Sequence, residues 1–402
     1  MNNKFTSKEI DFLKKNSKNI SDKSLTITAP EIYLSDILKN KTNEIHAFKR
    51  RIQETQLVED KFVCMLFRIS YKKKDNKKDI DKLFEKTFQI VLQTDRGIWQ
   101  RIEQDVYALV FWDYDNKNQA KKILNSIKEK MSSSIDIDIC TGAAWHPFED
   151  FLKIDSFDNA VKALDHAAFF GKNSTIFFDS LSIHIYGDRL YQLGYIEDAS
   201  IEYQKSLELD KKNTVLINSL GVCYGLLGML DKAKEEFKKV LAINPGEIIS
   251  IYNLGLIYDL TNEKKKAIPY LKKAHAIDNN IFEIELLLGT LYYYKAGDIK
   301  NALHHLNKAL ELKKDSSHVL RIKGEIALDQ NHFSKAVSNF TKAIKINPSD
   351  AVSLSGLAKA YEIQNKNIDI AFSFAKTSVE LDPDNMVFKE RLETINKKKK
   401  SA

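Results

Sequence analysis

The sequence predicts an α+β protein in which an N-terminal α/β domain with a mixed sheet is followed by an all-α array of helical hairpins. In the second half of the chain an alanine recurs every 34 or 35 residues, at Ala199, Ala233, Ala267, Ala302, Ala336 and Ala371. A fixed period of this length is typical of helical-hairpin repeats. In the first half, apolar runs of strand length alternate with segments of helical periodicity. Such alternation predicts a sheet covered by helices.

Composition and periodicity place the domain boundaries. Residues 1–30 are polar and weakly periodic, which predicts a loosely ordered arm. Residues 31–180 form the α/β domain, residues 181–384 form six repeats, and residues 385–402 form a capping helix with a basic tail. The junction after Asp179 has no Gly- or Pro-rich linker, so we expect the last strand to lead directly into the first repeat helix.

The elements of the first domain follow from apolar periodicity and strand-forming composition. The predicted elements are a lead-in helix within Glu31–Leu57, a strand at Lys61–Tyr71, a helix at Asp79–Thr94, a hairpin within Gly97–Trp112, a helix at Asn118–Met131, a strand at Ile135–Trp145, a helix at Ser156–Phe170 and a short strand at Ser174–Asp179.

Composition and charge narrow the function classes. The chain has 62 Lys and Arg against 55 Asp and Glu, and the resulting charge of +7 is spread along helix faces. Spread charge of this kind predicts solvated surfaces and no nucleic-acid partner, with association to RNA as a weaker alternative. No apolar run approaches the roughly 18 residues that span a membrane. The three cysteines have no metal spacing and no two histidines share a helix face at ligand spacing, so we predict a cytoplasmic protein with no metal and no cofactor.

The second half resembles the tetratricopeptide repeat family. The clearest copy runs from Leu216 to Pro245 and ends in the proline that closes such repeats. The family's small residue on the first helix is found at Gly187, Gly221, Gly255, Gly289, Gly324 and Ala358. Small residues there, and the recurring alanine on the second helix, let two helix backbones approach closely. The resemblance implies an all-α superhelix that binds another protein or peptide on its concave face.

The family's groove positions can be carried onto this chain at fixed offsets from the small residue. They give Asn218, Val222, Tyr252, Leu256, Asp259, Leu286, Thr290, Tyr293, Arg321 and Glu325 as partner-binding residues. The resemblance thus implies an apolar and aromatic patch flanked by charges, as partner anchors require. An alternative is that Leu286 and Tyr293 pack between neighbouring helices.

The first domain resembles the diguanylate cyclase domain named for its Gly-Gly-Asp-Glu-Phe motif, over residues 31–179. The matching segments are Asp36, Leu38 and Asn43, the hairpin Arg101-Ile102-Glu103-Gln104-Asp105-Val106-Tyr107, the strand Cys140–Ala144, and Leu164–Phe169 with Gly171–Asn173. The resemblance implies a nucleotide-cyclase-like mixed-sheet sandwich.

Substitutions within the motif remove what the family's reaction needs. Glu103 and Gln104 replace the glycine pair that lets nucleotide approach the backbone, and Val106 replaces a metal-binding glutamate. Two divalent ions need several anionic oxygens, and only Asp105 remains. We therefore predict a non-enzymatic scaffold, compatible with a homodimer, in bacterial signalling or assembly. Nucleotide or cyclic-dinucleotide binding, or residual cyclase activity, by the first domain is the alternative.

Overall fold

The computed structural model describes residues 43–55, 61–71, 80–92, 96–112, 114 and 116–401. The predicted arm and the first part of the lead-in helix lie outside these residues. The described residues fall into two compact bodies that divide between Met229 and Leu230.

The first body contains five strands and seven helices within its described residues. They are α1 (Asn43–Glu54), β1 (Phe62–Tyr71), α2 (Ile80–Leu92), β2 (Gly97–Glu103), β3 (Val106–Trp112), α3 (Lys117–Ser134), β4 (Ile137–His146), α4 (Asp155–Ala168), β5 (Thr175–Phe177), α5 (Ser180–Gln192), α6 (Ile196–Leu209) and α7 (Thr214–Leu226). Each strand and helix predicted between Lys61 and Asp179 is therefore present, with ends that differ by at most three residues.

The five strands form one mixed sheet in the order β2–β3–β1–β4–β5. All neighbouring strands are antiparallel except β4 and β5, which are parallel. The central strand β1 is buried on both sides because its alternate side chains enter different cores. Phe62, Cys64 and Leu66 pack in the core that includes residues of α1 and α4, whereas Val63 and Met65 pack in the core that includes residues of α2 and α3. The domain is thus the helix–sheet–helix sandwich that the sequence predicts.

Helix α4 lies unusually close to the sheet at Gly142 of β4. A Cβ atom added at Gly142 would lie 2.1 Å from the backbone nitrogen of Leu164 and 2.3 Å from the carbonyl oxygen of Ala160. Only glycine fits this crossing, because both neighbouring atoms belong to a helix backbone that cannot move aside. Gly142 therefore sets the distance between sheet and helix.

Helix α4 also carries the polar contacts that attach the helices after the sheet. Arg189 of α5 donates its Nε–H to the Asp165 carboxylate at 2.6 Å, and both side chains are almost fully buried. Lys162 reaches the Glu202 carboxylate of α6 at 2.5 Å. The neighbouring residues Asp165 and His166 have different partners. Asp165 accepts from Arg189, whereas the His166 Nδ1 lies 3.0 Å from the Ser182 hydroxyl, so the two do not form an acid–base pair. Helix α5 begins three residues after β5, as the missing linker predicts.

The second body is helical throughout its described residues. Its helices are α8 (Leu230–Ile243), α9 (Ile248–Leu260), α10 (Lys264–Ile277), α11 (Phe282–Leu291), α12 (Ile299–Leu312), α13 (Ser317–Asp329), α14 (Phe333–Ile346), α15 (Ala351–Ile363), α16 (Ile368–Leu381) and α17 (Met386–Ser401). A π-helical turn, Tyr292–Ala296, extends α11. In the part of the chain that the structure describes, no helix is both long and apolar enough to cross a membrane.

Glycines on the first helix of each hairpin make room for a large side chain on the second. A Cβ at Gly255, Gly289 or Gly324 would lie 2.7 Å from Leu271, Leu306 or Phe340, respectively. The recurring alanines from Ala199 to Ala371 are all fully buried. The repeat pattern in the sequence is thus a packing pattern between paired helices.

Replacing Gly142 with alanine is expected to lower the free energy of unfolding of the sheet domain by about 3 kcal/mol, the upper end of the cost of overpacking. The three tryptophans, Trp99, Trp112 and Trp145, all lie on sheet strands, so denaturant unfolding followed by tryptophan fluorescence reports this domain selectively. Gly246→Ala is the matched control, because its added Cβ would meet no atom closer than 3.7 Å. Equal stability of the two variants would contradict the assigned role of Gly142.

Replacing Arg189 with methionine is expected to cost about 3 kcal/mol of unfolding free energy at pH 7, because Asp165 would remain as a buried charge without its partner. Burial raises the pKa of Asp165 to about 6 even beside Arg189, and removing the guanidinium would raise it further. A carboxyl whose pKa is raised on folding stabilises less as the pH rises through that pKa. The deficit of the variant relative to the native chain should therefore shrink from pH 7 to pH 5.

Denaturant titrations of both proteins at the two pH values test this. Lys205→Met is the control, since the Lys205 side chain is 43% exposed and Glu202 keeps its buried partner Lys162 when Lys205 is removed, so the cost should stay below about 1 kcal/mol. A deficit that is the same at pH 5 and pH 7 would exclude Asp165 as its source.

Candidate functional site

The π-helical turn after α11 places two adjacent tyrosines on the first-helix face of the second body. The hairpin α11–α12 has one residue more than its neighbours, and the sequence suggests an extra residue in the loop near Ala296–Asp298. The structure instead accommodates it in the turn Tyr292–Ala296, which ends at Gly297 with a left-handed backbone (φ 69°). Such single π-turns arise from one-residue insertions and are frequent at functional sites.

Both tyrosines reach carboxylates on the first helix of the next hairpin. The Tyr293 hydroxyl donates to Asp329 Oδ2 at 2.6 Å, and the Tyr294 hydroxyl donates to Glu325 Oε2. Their rings are in contact, with centroids 4.6 Å apart. Tyr294 is 51% exposed. We call Tyr293, Tyr294, Glu325 and Asp329 the tyrosine–carboxylate patch.

The patch combines neutral hydrogen-bond donors with carboxylates in a partly buried environment. Burial and the nearby carboxylates raise the pKa of both tyrosines, so each stays protonated and donates. Burial also raises the pKa of Glu325, against the opposing effects of the Tyr294 hydroxyl and Arg321. Poorly solvated acceptors of this kind favour a ligand that brings a hydrogen-bond donor or a positive charge.

The structure brings some of the predicted groove residues together and separates others. Tyr293 and Glu325 belong to the patch, and Arg321 stands beside it while contacting Asp350 at 3.4 Å. Leu286 and Tyr293 pack against one apolar cluster between neighbouring helices, which was the alternative for these two residues. The remaining predicted positions that are not fully buried are Asp259, Thr290 and Asn218, of which Asn218 lies on α7 in the first body.

Three predicted groove residues do not lie on an exposed surface. Tyr252 is 1% exposed, Leu256 is 7% exposed and Val222 is 1% exposed. In α9 every residue from Ser250 to Tyr258 is buried. The helix sequence IISIYNLGLIYDL is apolar around its whole circumference, and such helices are enclosed. The expected exposed aromatic patch at Tyr252 and Leu256 is therefore wrong in this structure.

The degenerate motif residues of the first body lie together at the tip of the β2–β3 hairpin, held by internal contacts. Arg101 contacts the Asp81 carboxylate at 2.9 Å and the carbonyl oxygens of Glu103 and Gln104. Tyr107 is buried, and its ring stacks on Phe84 with centroids 3.9 Å apart. Val106 is buried in the α1–α4 core. Val106 and Tyr107 thus pack in the interior, whereas Arg101 and Gln104 are exposed.

An arginine side chain contacts Asp105, which lies in the segment that resembles the cyclase motif. Arg68 of β1 donates its Nε–H to Asp105 Oδ2 at 3.1 Å. The pair lies beside a cleft that includes Ser70, Tyr71, Asp81, Arg101, Gln104 and Asp105. Among the described residues that line this cleft, the acidic ones are Asp81 and Asp105, and each contacts an arginine.

Three segments of the chain match the tetratricopeptide repeat family model: residues 216–247, 249–281 and 322–350. They coincide with helices α7–α8, α9–α10 and α13–α14.

The C-terminal part of the chain contains tetratricopeptide repeats.

Several solved structures show some similarity to the chain. They include PilF of Pseudomonas aeruginosa (19% identity, 52% of this chain and 95% of that chain, TM-score 0.48), the type IV pilus biogenesis factor PilW (18% identity, 53% and 98%, TM-score 0.47), and YrrB, a repeat protein with an unusual peptide-binding site (19% identity, 47% and 96%, TM-score 0.41). Likenesses at this level give no information on function. No curated protein matches the chain.

A polar cluster that the sequence analysis does not predict joins the second matched repeat to the hairpin that follows it. His275 of α10, Glu285 of α11 and His305 of α12 offer three ligand atoms that lie within 4.8 Å of one another. A search for histidines at ligand spacing on one helix face overlooks them, because each comes from a different helix. The repeat register could have found them, since Glu285 occupies a position that is aliphatic in the other five repeats.

Millimolar GTP with Mg²⁺ is expected to leave the thermal midpoint of the first domain unchanged and to yield no cyclic dinucleotide. The physical reason is that Arg68 contacts Asp105 and Arg101 contacts Asp81, the two acidic residues that line the cleft among those the structure describes. Thermal unfolding followed by tryptophan fluorescence, with and without nucleotide, measures this, because a ligand that binds only the folded state raises the midpoint. A rise that grows with GTP concentration would instead support the nucleotide-binding alternative.

Proposed function

We propose that the chain is a non-catalytic scaffold whose repeats bind another protein or a peptide on their first-helix face, within a bacterial signalling or assembly system. The cyclase-like domain acts as a rigid support for the first helical hairpin. This function requires neither a cofactor nor a nucleic-acid partner, and it is compatible with a homodimer.

The observation that supports this function is the tyrosine–carboxylate patch. Tyrosine is a common binding anchor because it supplies a large contact area at a small cost in side-chain entropy. Tyr294, a residue that is half exposed, lies beside two carboxylates. A partner segment with an apolar side chain next to Lys or Arg would cover the ring and pair with Glu325 or Asp329.

The attachment of α5 and α6 to helix α4 supports the role of the first domain. Two buried ion pairs, Asp165–Arg189 and Lys162–Glu202, fix this contact. Removing either partner of such a pair is costly, so the sheet and the first hairpin form a single rigid body. A rigid base of this kind reduces the conformational entropy lost when a partner binds.

Nucleotide or cyclic-dinucleotide binding by the first domain is the second candidate function. The cleft beside the β2–β3 hairpin favours it, since Ser70, Tyr71 and Gln104 offer polar groups there. The Arg68–Asp105 pair weighs against the divalent ions that the family's reaction uses.

Tyr294→Ala in the full chain is expected to weaken partner binding at least tenfold, and Glu325→Gln is expected to weaken it less. The reason is that Tyr294 supplies the exposed apolar area, whereas Glu325 supplies one charged acceptor. The partner is first selected by display of a random peptide library on the native chain. Its affinity for each variant is then measured by fluorescence anisotropy.

Ile370→Ala is the matched control, because Ile370 is 47% exposed on α16, the second helix of its hairpin. It removes apolar area from a second-helix surface and should leave the affinity unchanged. Selected peptides that bind the Tyr294→Ala variant and the native chain equally would place the binding surface elsewhere. Far-UV circular dichroism of all variants confirms equal folding.

A further inference from the structure

Two histidines and a glutamate meet in the seam between two consecutive hairpins. Glu285 of α11 is fully buried and accepts a contact from each side. Its Oε2 lies 2.8 Å from Nδ1 of His305, and its Oε1 is hydrogen bonded to Nδ1 of His275. The imidazole rings of the two histidines meet edge to face, with centroids 5.2 Å apart. We call these three residues the seam cluster.

Two of the three residues replace aliphatic side chains of the repeat pattern. The Glu285 position, four residues before the small residue, is Ile183, Ile217, Ile251, Leu320 and Leu354 in the other repeats. The His275 position, eight residues after the recurring alanine, is Leu207, Leu241, Leu310, Ile344 and Val379 in the other repeats. At these two positions, the other five repeats thus carry only Ile, Leu or Val.

These replacements are expected to lower the stability of the fold. The fully buried Glu285 carboxylate loses hydration that an aliphatic residue never had, and exchanging buried charges for apolar groups often stabilises a protein. Each oxygen of this carboxylate faces the Nδ1 atom of one histidine. The cluster therefore holds a carboxylate between two imidazole nitrogens.

We propose that the seam cluster is a binding site for a divalent transition-metal ion of the Zn²⁺ class, with His275, Glu285 and His305 as its three protein ligands. This site goes beyond the proposed scaffold function and does not depend on it. Two imidazoles and one carboxylate are a ligand set that zinc adopts when a fourth position stays open to water.

The dimensions of the cluster suit such an ion. The three ligand atoms lie within 4.8 Å of one another, and tetrahedral zinc with bonds of about 2.0–2.2 Å holds its ligand atoms roughly 3.4 Å apart. Small side-chain movements therefore convert the hydrogen-bonded cluster into a coordinated one. The side chain of His275 is 31% exposed, which gives the ion an entry path and a water-accessible fourth position.

The ring of Tyr292 fixes the orientation of one ligand. It stacks on His305 with centroids 5.5 Å apart and planes 4° from parallel. The partner groups of metal-binding histidines hold the ring at the angle that coordination needs. Here a stacked ring restricts His305 in the same way.

The test uses the full, tag-free chain after chelation and dialysis. Titration with Zn²⁺ in a calorimeter is expected to show one ion per chain, with a thermal midpoint that rises and saturates near one equivalent. Co²⁺ should give the intense visible absorption of a tetrahedral site. Glu285→Leu, which restores the aliphatic residue of the other repeats, is expected to fold, to weaken Zn²⁺ binding at least tenfold and to lose the Co²⁺ absorption.

His304→Ala is the matched control, because His304 is exposed and next to His305 but is not a member of the seam cluster. It should bind Zn²⁺ like the native chain. Absence of Zn²⁺ binding by the native chain would overturn the site, and so would binding that Glu285→Leu leaves unchanged. A Zn²⁺ affinity lost equally in His304→Ala would also overturn it, since the ion would then be bound on the surface.

Discussion

At several of the closest contacts between helices, and at one between a helix and the sheet, a glycine lies at the crossing. Gly142 lets the backbone of α4 approach β4, and Gly255, Gly289 and Gly324 leave room for Leu271, Leu306 and Phe340. Close packing fixes the spacing of the elements because a single added methyl group would meet atoms that cannot move. The positions of all larger side chains, including the functional ones, follow from this spacing.

Close approach also forces polar residues at these contacts to find partners within the protein. Asp165 and Lys162 on α4 face the helices α5 and α6, where water is excluded, and each contacts an opposite charge. A buried charge without its partner would cost several kilocalories per mole. The ion pairs thus make the contact between the sheet domain and the first hairpin specific, while the surrounding apolar residues provide most of its free energy.

Much of this architecture could be predicted from local sequence patterns. Strand β1 follows from an apolar run of strand length, and the helices around it follow from helical periodicity. The fixed spacing of Ala267, Ala302 and Ala336 predicts the hairpins. Which faces remain exposed is harder to predict. Family offsets placed Tyr252 and Leu256 on a surface, although the apolar circumference of α9 predicts an enclosed helix. The π-turn was also missed, because a one-residue insertion fits a loop and a helix equally well.

The functional sites depend on long-range proximity, which local patterns do not contain. His275, Glu285 and His305 come from three helices, and the Arg68–Asp105 pair joins a strand to a turn 37 positions away. A departure from the repeat pattern is the one local signal that remains. An acidic residue in a position that five other repeats fill with Ile or Leu indicates a requirement other than packing.

The π-turn connects the seam cluster to the tyrosine–carboxylate patch. Tyr292 stacks on His305, while the next two residues extend to Asp329 and Glu325 on α13. Successive side chains of a helix point in different directions, so one short segment contacts both sites. Any ligand that reorients the His305 ring must displace Tyr292 or be accommodated by it, and Tyr293 and Tyr294 share its backbone. The turn that holds the inserted residue thus contacts both the interior seam cluster and the surface where we place the partner.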